Sequence, residues 1–92
     1  MAASPLTSSR SRRVAVVDIG TNSTRLLVAD VHHGRVSEVE RRNRVTRLGR
    51  GVDYSGQLSA DAIEAVCETV GQYVLLIGEL GVESTTVIAT SA

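Results

Sequence analysis

The chain has 92 residues, of which ten are arginine, ten are acidic and none is lysine, so its formal net charge at neutral pH is zero. Zero net charge argues against a nucleic-acid-binding protein, and no apolar run reaches membrane-spanning length. The single cysteine, Cys67, excludes an internal disulfide and is typical of a reducing compartment, so we expect a cytoplasmic protein without nucleic-acid or membrane partners.

The N-terminal segment, residues 1–13, is rich in serine and arginine and contains no acidic residue. It also lacks the apolar core of a secretory signal. We predict that residues 1–13 form a disordered extension, although transit peptides have a similar composition. The predicted folded part is therefore residues 14–92.

A hairpin is predicted where two short apolar runs, residues 14–17 and 26–29, flank a polar segment that reads Asp-Ile-Gly-Thr-Asn-Ser. Gly20 can adopt a positive φ without a Cβ penalty, and Asn22 tolerates a left-handed conformation better than most residues. The tip of this hairpin would expose backbone N–H groups and hydroxyls, with Asp18 closing the first strand at the same end. The four turn residues are Gly20, Thr21, Asn22 and Ser23.

This tip has the composition of a phosphate site. Amide donors beside a carboxylate would repel a bare phosphate but accept one that carries magnesium, which predicts a site for polyphosphate or a nucleotide phosphate. Such a turn is also common between strands that bind nothing, so its spacing alone leaves a purely structural role open. No Gly-Lys-Ser/Thr follows, which excludes a Walker loop.

The next elements are a turn and a charged strand. His32 and His33 begin the turn, and no partner lies at metal-ligand spacing, so we expect both to face solvent. Residues 35–42 alternate loosely and predict a third strand near the sheet edge. Residues 43–58 predict an irregular connection whose arginines either face the hairpin tip or are simply solvated.

A long helix is predicted from about residue 60 to residue 80, with Ser59 as its N-cap. Its apolar stripe is expected to bury Cys67 as a structural thiol, and its two glycines are expected to allow close packing of a neighbouring element. Residues 85–90 predict a fourth strand, parallel to another strand of a mixed sheet, which gives the order β-β-β-α-β. The expected stripe comprises Ile63, Val66, Cys67, Val70, Val74, Ile77 and Leu80.

Three of these segments resemble one known family. The hairpin segment D-I-G-T-N-S resembles the first phosphate-binding loop of the superfamily of actin, sugar kinases and heat-shock chaperones. The segment R-L-G-R-G-V, residues 47–52, and the segment I-A-T-S-A, residues 88–92, resemble the exopolyphosphatase/guanosine-pentaphosphate phosphohydrolase (Ppx/GppA) branch. The three segments occur in the family's order, and the resemblance covers residues 13–92.

The resemblance implies a fold and an activity. The fold would be a truncated ribonuclease-H-like, actin-type α/β ATPase domain, with residues 14–92 as an incomplete N-terminal lobe. The activity would be release of terminal phosphate from polyphosphate or from guanosine penta- or tetraphosphate, with magnesium held by Asp18. A homodimer is implied for the complete protein. The implied phosphate-binding residues are Gly20, Thr21, Asn22, Ser23, Arg25 and Arg47.

The resemblance also places the catalytic general base beyond Ala92, so we expect no catalytic residue in this chain and no activity from the chain alone. Glu64 and Glu68 belong to the polar side of the predicted helix and are not candidates for the base. The fourth strand would leave an apolar edge, which predicts self-association. Arg25 either reaches an anion from the hairpin or forms a local salt bridge.

Two other functions remain open at this point. A carbohydrate or carboxylate kinase of the same superfamily would transfer phosphate from ATP, but Asn22 and the R-L-G segment disfavour it. A truncated, non-catalytic module that only binds anions is the second alternative.

Overall fold

A computed structural model describes residues 11–50 and 56–89. Four strands and one helix follow the predicted order, β-β-β-α-β. Their bounds are Arg12–Ile19 for β1, Ser23–His32 for β2, Arg35–Val45 for β3, Ala60–Glu79 for α1 and Ser84–Ala89 for β4. The part of the chain described contains no helix with both the length and the apolar content needed to cross a membrane.

The sheet is mixed, in the spatial order β3-β2-β1-β4. β1 pairs antiparallel with β2 and parallel with β4, and β2 pairs antiparallel with β3. The chain leaves β3 at one edge and crosses through α1 to reach β4 at the other edge, as a parallel connection requires. The predicted parallel fourth strand and the charged edge strand are therefore confirmed.

Strand β1 begins earlier than the sequence pattern predicts. Arg12 and Arg13 belong to β1, so the predicted disordered extension does not reach residue 13. The paired register explains the difference, because Arg12 lies opposite Val31 and Arg13 opposite Asp30 in the antiparallel ladder. The rest of the predicted extension, residues 1–10, lies outside the described residues.

The core lies between α1 and one face of the two central strands. Its buried members are Ala15, Val17, Leu26, Val28 and Tyr73. Side chains alternate across a strand, so the neighbours of these residues point to the opposite face, where Val16, Asp18 and Leu27 line an open groove of about 410 Å³. The polar end of that groove leads to the hairpin tip.

Helix α1 begins as predicted. The Ser59 hydroxyl accepts a hydrogen bond from the Ala62 N–H at 3.0 Å, and the helix ends before Gly81, whose φ is +67°. These are the positions at which an N-cap serine and a left-handed glycine terminate a helix.

The buried face of α1 is rotated from the predicted stripe. Cys67 is exposed rather than buried, and Ile63 and Val74 are also exposed. The buried positions are Ala62, Val66, Thr69 and Tyr73, which recur at intervals of three and four residues. The predicted stripe is confirmed in part, since Val66 is buried and Val70, Ile77 and Leu80 pack partly buried against the core. It omits Thr69 and Tyr73, whose hydroxyls form hydrogen bonds that periodicity does not reveal.

The helix glycines do not serve close packing. A Cβ added at Gly71 or Gly78 would meet nothing within 4 Å, so no described element approaches the helix there. The prediction of close approach is wrong for both positions within the described structure.

The turn between β2 and β3 is confirmed as solvent-facing. His33 and Gly34 both have positive φ, at 52° and 75°, which is the geometry of a tight type I′ hairpin turn. Both histidines are exposed, and their rings meet edge to face at 4.2 Å between centroids.

An ion pair joins the two central strands to the end of the helix. Arg13 Nε and Nη2 donate to the two carboxylate oxygens of Asp30 at 2.8 and 3.0 Å, and Arg13 Nη1 donates to the Leu80 carbonyl at 2.9 Å. The Arg13 hydrogen bond lowers the pKa of Asp30 below its ordinary value. This bidentate geometry is the strong form of the arginine–carboxylate pair.

We expect the chain to lose stability at acid pH partly through Asp30. Because the pKa of Asp30 is lower in the folded state, the unfolded chain binds the proton first as pH falls through the ordinary value of about 4. The contribution is present at neutral pH and is lost on acidification. Urea unfolding between pH 7 and pH 3 measures it. Asp30→Asn should be less stable than the wild type at pH 7, and the difference in unfolding free energy should shrink toward pH 3. A difference that is the same at every pH would contradict the role given to Asp30.

Candidate functional site

The candidate site is the tip of the β1–β2 hairpin together with the segment that follows β3. Between the two strands, the Gly20 N–H donates to the Ser23 carbonyl at 2.9 Å and closes the turn. Neither Gly20 nor Asn22 has a positive φ, so the turn does not use the left-handed conformation that these residue types allow. Glycine is favoured at position 20 for a steric reason instead, since a Cβ there would lie 3.2 Å from the Ser23 carbonyl oxygen.

Three backbone hydrogen bonds fasten the turn to residues 46–50, which we call the arginine loop. The Thr46 and Arg47 N–H groups both donate to the Asn22 carbonyl at 2.9 Å, and the Gly49 N–H donates to the Thr21 carbonyl at 2.8 Å. The two predicted loops are thus brought into direct contact. Residues 51–55, the end of the second predicted segment, lie outside the described residues.

This pairing uses the carbonyls of Thr21 and Asn22 as acceptors but does not use the N–H groups of these two residues. Within residues 11–50 and 56–89, no carbonyl accepts a hydrogen bond from the Thr21 or Asn22 N–H. Both residues are exposed. Consecutive N–H groups without backbone partners form the kind of concave donor set that binds anions.

Two cavities flank the turn. One, of about 210 Å³, is lined by Asp18, Arg25 and all four turn residues. The other, of about 430 Å³, is lined by Thr21, Asn22, Gly49 and two arginines, Arg47 and Arg50. The first cavity combines a carboxylate with a guanidinium, whereas the described lining of the second is basic and includes no acidic residue.

Asp18 carries a feature that the fold itself does not explain. Its Oδ1 is buried and accepts no hydrogen bond from the described part of the chain. An unpaired buried oxygen is costly, and a hard cation would satisfy it. No group of three or more His, Cys, Asp or Glu side chains among the described residues could hold a metal ion. The donor set fits magnesium, which proteins bind through one or two carboxylates together with substrate phosphates and water.

Arg25 lies directly across the β1–β2 ladder from Asp18 and is exposed. Cross-strand partners share a face of the sheet, so both side chains lie at the same end of the open face. No described acidic group pairs with Arg25, and the local salt bridge considered for it is not formed there. Ser23 lines the same cavity but is buried, which distinguishes it from exposed Thr21 and Asn22.

Arg47 is held in an unfavourable backbone conformation. Its φ of 56° lies in the left-handed region, which L residues other than Gly, Asn and Asp rarely adopt. The sequence directed attention to the glycines of this loop and missed Arg47 as the strained residue. Strain at a non-glycine residue persists only where surrounding contacts impose it, and such residues cluster at ligand sites.

Arg44 does not reach the turn, because its Nη1 donates to Glu68 Oε1 at 3.1 Å on the helix. This pair also confirms Glu68 as a residue of the polar helix surface. Arg50, which was not among the predicted site residues, lines the second cavity beside Arg47. The spacing R-x-x-R across the loop was the available signal for Arg50.

We expect Arg47→Asn to weaken binding of tripolyphosphate about tenfold without unfolding the chain. Asparagine tolerates the left-handed conformation, so the substitution removes the guanidinium and retains the backbone. A charge-assisted contact to phosphate is worth about 1.5–3 kcal/mol, of which part is replaced by water. Calorimetric titration measures the affinity. Arg35→Asn, at the exposed first residue of β3, is the control and should leave the affinity unchanged. Equal affinities of the Arg47 variant and the wild type would remove Arg47 from the site.

The chain is similar to known proteins over most of its length. The profile of the Ppx/GppA phosphatase family matches residues 27–92. The exopolyphosphatase 2 of Mycobacterium tuberculosis is 40% identical over 84 residues, which cover 87% of this chain and 26% of that protein. A guanosine-5'-triphosphate,3'-diphosphate pyrophosphatase of Pseudoalteromonas translucida is 29% identical over 77 residues, covering 84% of this chain and 16% of that protein.

Solved structures give the same result. The crystal structure of the Ppx/GppA family member of Aquifex aeolicus superposes with a TM-score of 0.83 at 38% identity, covering 87% of this chain and 26% of that one. The mixed sheet with its single helix therefore matches the actin-like ATPase domain of these structures. The chain spans about a quarter of the length of the Mycobacterium tuberculosis relative.

Proposed function

The chain belongs to the Ppx/GppA phosphatase family, and from this premise we propose that it supplies the first phosphate-binding half of a phosphoanhydride hydrolase site. The reaction is release of the terminal phosphate from inorganic polyphosphate or from a guanosine penta- or tetraphosphate. The observation that carries the proposal is the Thr21–Asn22 turn, whose N–H groups have no described partner while Asp18 and Arg47 lie beside it.

Each residue of the site has a role in this proposal. The Thr21 and Asn22 amides and the hydroxyls of Thr21 and Ser23 bind the phosphoryl group, while Gly20 shapes the turn that presents them, since backbone donors accommodate phosphate oxygens without a side-chain charge. Arg25 and Arg47 neutralise the negative charge of the substrate from opposite sides of the turn. Asp18 holds magnesium, which when bound offsets the charge that develops on the phosphate oxygens.

The general base is assigned to no residue of this chain. Phosphoanhydride hydrolysis needs a group that orients the attacking water as well as charge stabilisation. Glu64 and Glu68 lie on the exposed side of α1, and Glu68 is paired with Arg44, so neither is available beside the turn. The proposed half-site therefore binds phosphate, and turnover needs residues from the remaining length of the family's proteins.

Phosphate release in the presence of magnesium tests the proposal. The 92-residue chain is compared with a version extended to the length of its relatives, each with long-chain polyphosphate and with guanosine pentaphosphate. Release only by the extended protein supports a half-site, and the faster substrate identifies the substrate class. Release by the short chain would mean that it contains a base after all. ATP-dependent phosphorylation of a small alcohol without hydrolysis would favour a kinase, and phosphate binding without turnover of any substrate would favour a binding module.

A further inference from the structure

Two buried threonine hydroxyls, one from β2 and one from the start of the arginine loop, lie within hydrogen-bond distance of each other. Thr24 Oγ1 and Thr46 Oγ1 lie 2.9 Å apart, and both residues are buried, at 0% and 5% exposure. A buried hydroxyl without a partner is costly, so each of these two groups depends on the other. The pair therefore fixes the start of the arginine loop against β2.

Helix α1 also forms a hydrogen bond to Thr24. The Tyr73 hydroxyl donates to the Thr24 carbonyl at 2.8 Å, across 49 residues of sequence. Burial raises the pKa of Tyr73, so its phenol remains a protonated donor at neutral pH. Thr24 is thus tied to α1 through its backbone and to Thr46 through its side chain. We call Thr24, Thr46 and Tyr73 the latch.

Thr46 connects the latch to the candidate site, because its backbone N–H bonds to the hairpin turn. The Thr46 N–H and the next N–H, that of Arg47, share the Asn22 carbonyl. Arg47 is the residue held at φ 56°, a conformation that the surrounding contacts must impose. The hydrogen bonds of Thr46 are such contacts, because they fix the residue immediately before Arg47 on both its backbone and its side chain.

From this geometry we infer that Thr24, Thr46 and Tyr73 are positioning residues, which hold Arg47 beside the Thr21–Asn22 turn and thereby set the affinity of the site for a polyphosphate anion. This inference rests on the proposed function. The latch residues themselves do not contact the anion, since the hydroxyls of Thr24 and Thr46 are buried and satisfied by one another.

The chain offers a matched control for simple loss of stability. Thr69 is as buried as Thr24, and its hydroxyl donates to the Ala65 carbonyl within the helix at 2.7 Å. Thr69→Val and Thr46→Val both delete one buried hydroxyl while retaining the shape of the side chain. Only Thr46→Val removes a bond that leads to the site.

The experiment is calorimetric titration of the 92-residue chain with tripolyphosphate and magnesium, at a temperature where circular dichroism shows each variant folded. We expect Thr46→Val to weaken binding about three- to tenfold, the range that follows from losing one buried hydrogen bond. Thr46→Ser, which retains the hydroxyl, should bind within about twofold of the wild type, as should Thr69→Val. Tyr73→Phe, which deletes only the phenol oxygen, should weaken binding in the same direction and provides the test if Thr46→Val does not fold.

The outcomes separate the inference from the proposed function. A wild-type chain that does not bind tripolyphosphate overturns the proposed phosphate site and the positioning role with it. A wild-type chain that binds, with Thr46→Val and Tyr73→Phe unchanged in affinity, overturns the positioning role alone. Equal weakening by Thr46→Val and Thr69→Val would also overturn it, because the effect would then reflect general stability.

Discussion

Replacing Asp18 with asparagine is expected to lower magnesium-dependent phosphate release about 100-fold in a protein of the family's full length, while leaving the fold at least as stable. The carboxylate is the residue through which the proposed site holds magnesium. In the fold itself, Asp18 Oδ1 is buried without a described partner, so asparagine at this position breaks no described hydrogen bond of that oxygen. A loss of activity without a loss of stability is the mark of a residue kept for function.

Phosphate release across a magnesium titration measures the first effect, and urea unfolding of the 92-residue chain measures the second. Asp30→Asn is the matched control, since it makes the same chemical change where Arg13 already neutralises the carboxylate. It should lose stability at neutral pH and retain activity. Full activity of Asp18→Asn at every magnesium concentration would remove Asp18 from the metal site.

Leu26→Ala is expected to destabilise the chain by about 2–5 kcal/mol. Leu26 is 1% exposed and belongs to the core cluster of Ala15, Val17, Val28 and Tyr73. Truncation removes buried apolar surface and leaves a cavity between β2 and the helix. Since small domains have stabilities of about 5–15 kcal/mol, this loss is a large fraction of the total.

The control for this substitution is Leu75→Ala on the helix. Leu75 is 69% exposed, so the same deletion there should change the unfolding free energy by no more than about 0.5 kcal/mol. Urea titration followed by circular dichroism compares the two variants. An equal loss of stability in both variants would contradict a core built around Leu26.

The order of elements and the ends of the helix could be predicted from local sequence. The apolar runs around the hairpin turn, the Ser59 N-cap and the β-branched run that ends near Ala89 each indicate their own backbone conformation, and all were confirmed. Strand bounds were less accurate because pairing extends strands through polar residues. β3, for example, continues to Val45 through Asn43 and Arg44, which pair with β2.

The buried face of the helix could be predicted only in part. Four members of the predicted stripe lie against the core, three are exposed, and hydrophobicity alone does not separate the two groups. Tyr73 favours the observed rotation of α1, since its hydroxyl donates to the Thr24 carbonyl far away in sequence. Cys67 is exposed as a consequence of that rotation.

The site residues could be predicted from their chemical type, but their spatial arrangement could not. Thr21, Asn22 and Arg47 were singled out from the sequence, and the structure brings them to one place. No sequence pattern indicates that the Asn22 carbonyl accepts from two N–H groups, or that Arg47 adopts the left-handed conformation. Such features depend on contacts between segments that are distant in the chain.

The proposed function requires that the hairpin turn and the arginine loop together form one anion site. The most direct measurement is a map of backbone amide chemical shifts in the ¹⁵N-labelled 92-residue chain, titrated with tripolyphosphate and magnesium. We predict that the largest shifts occur at residues 20–25 and 46–50 and that they saturate together with one dissociation constant. Shifts confined to the arginine-rich strand β3, at Arg41 and Arg42, with the turn unchanged, would contradict the claim.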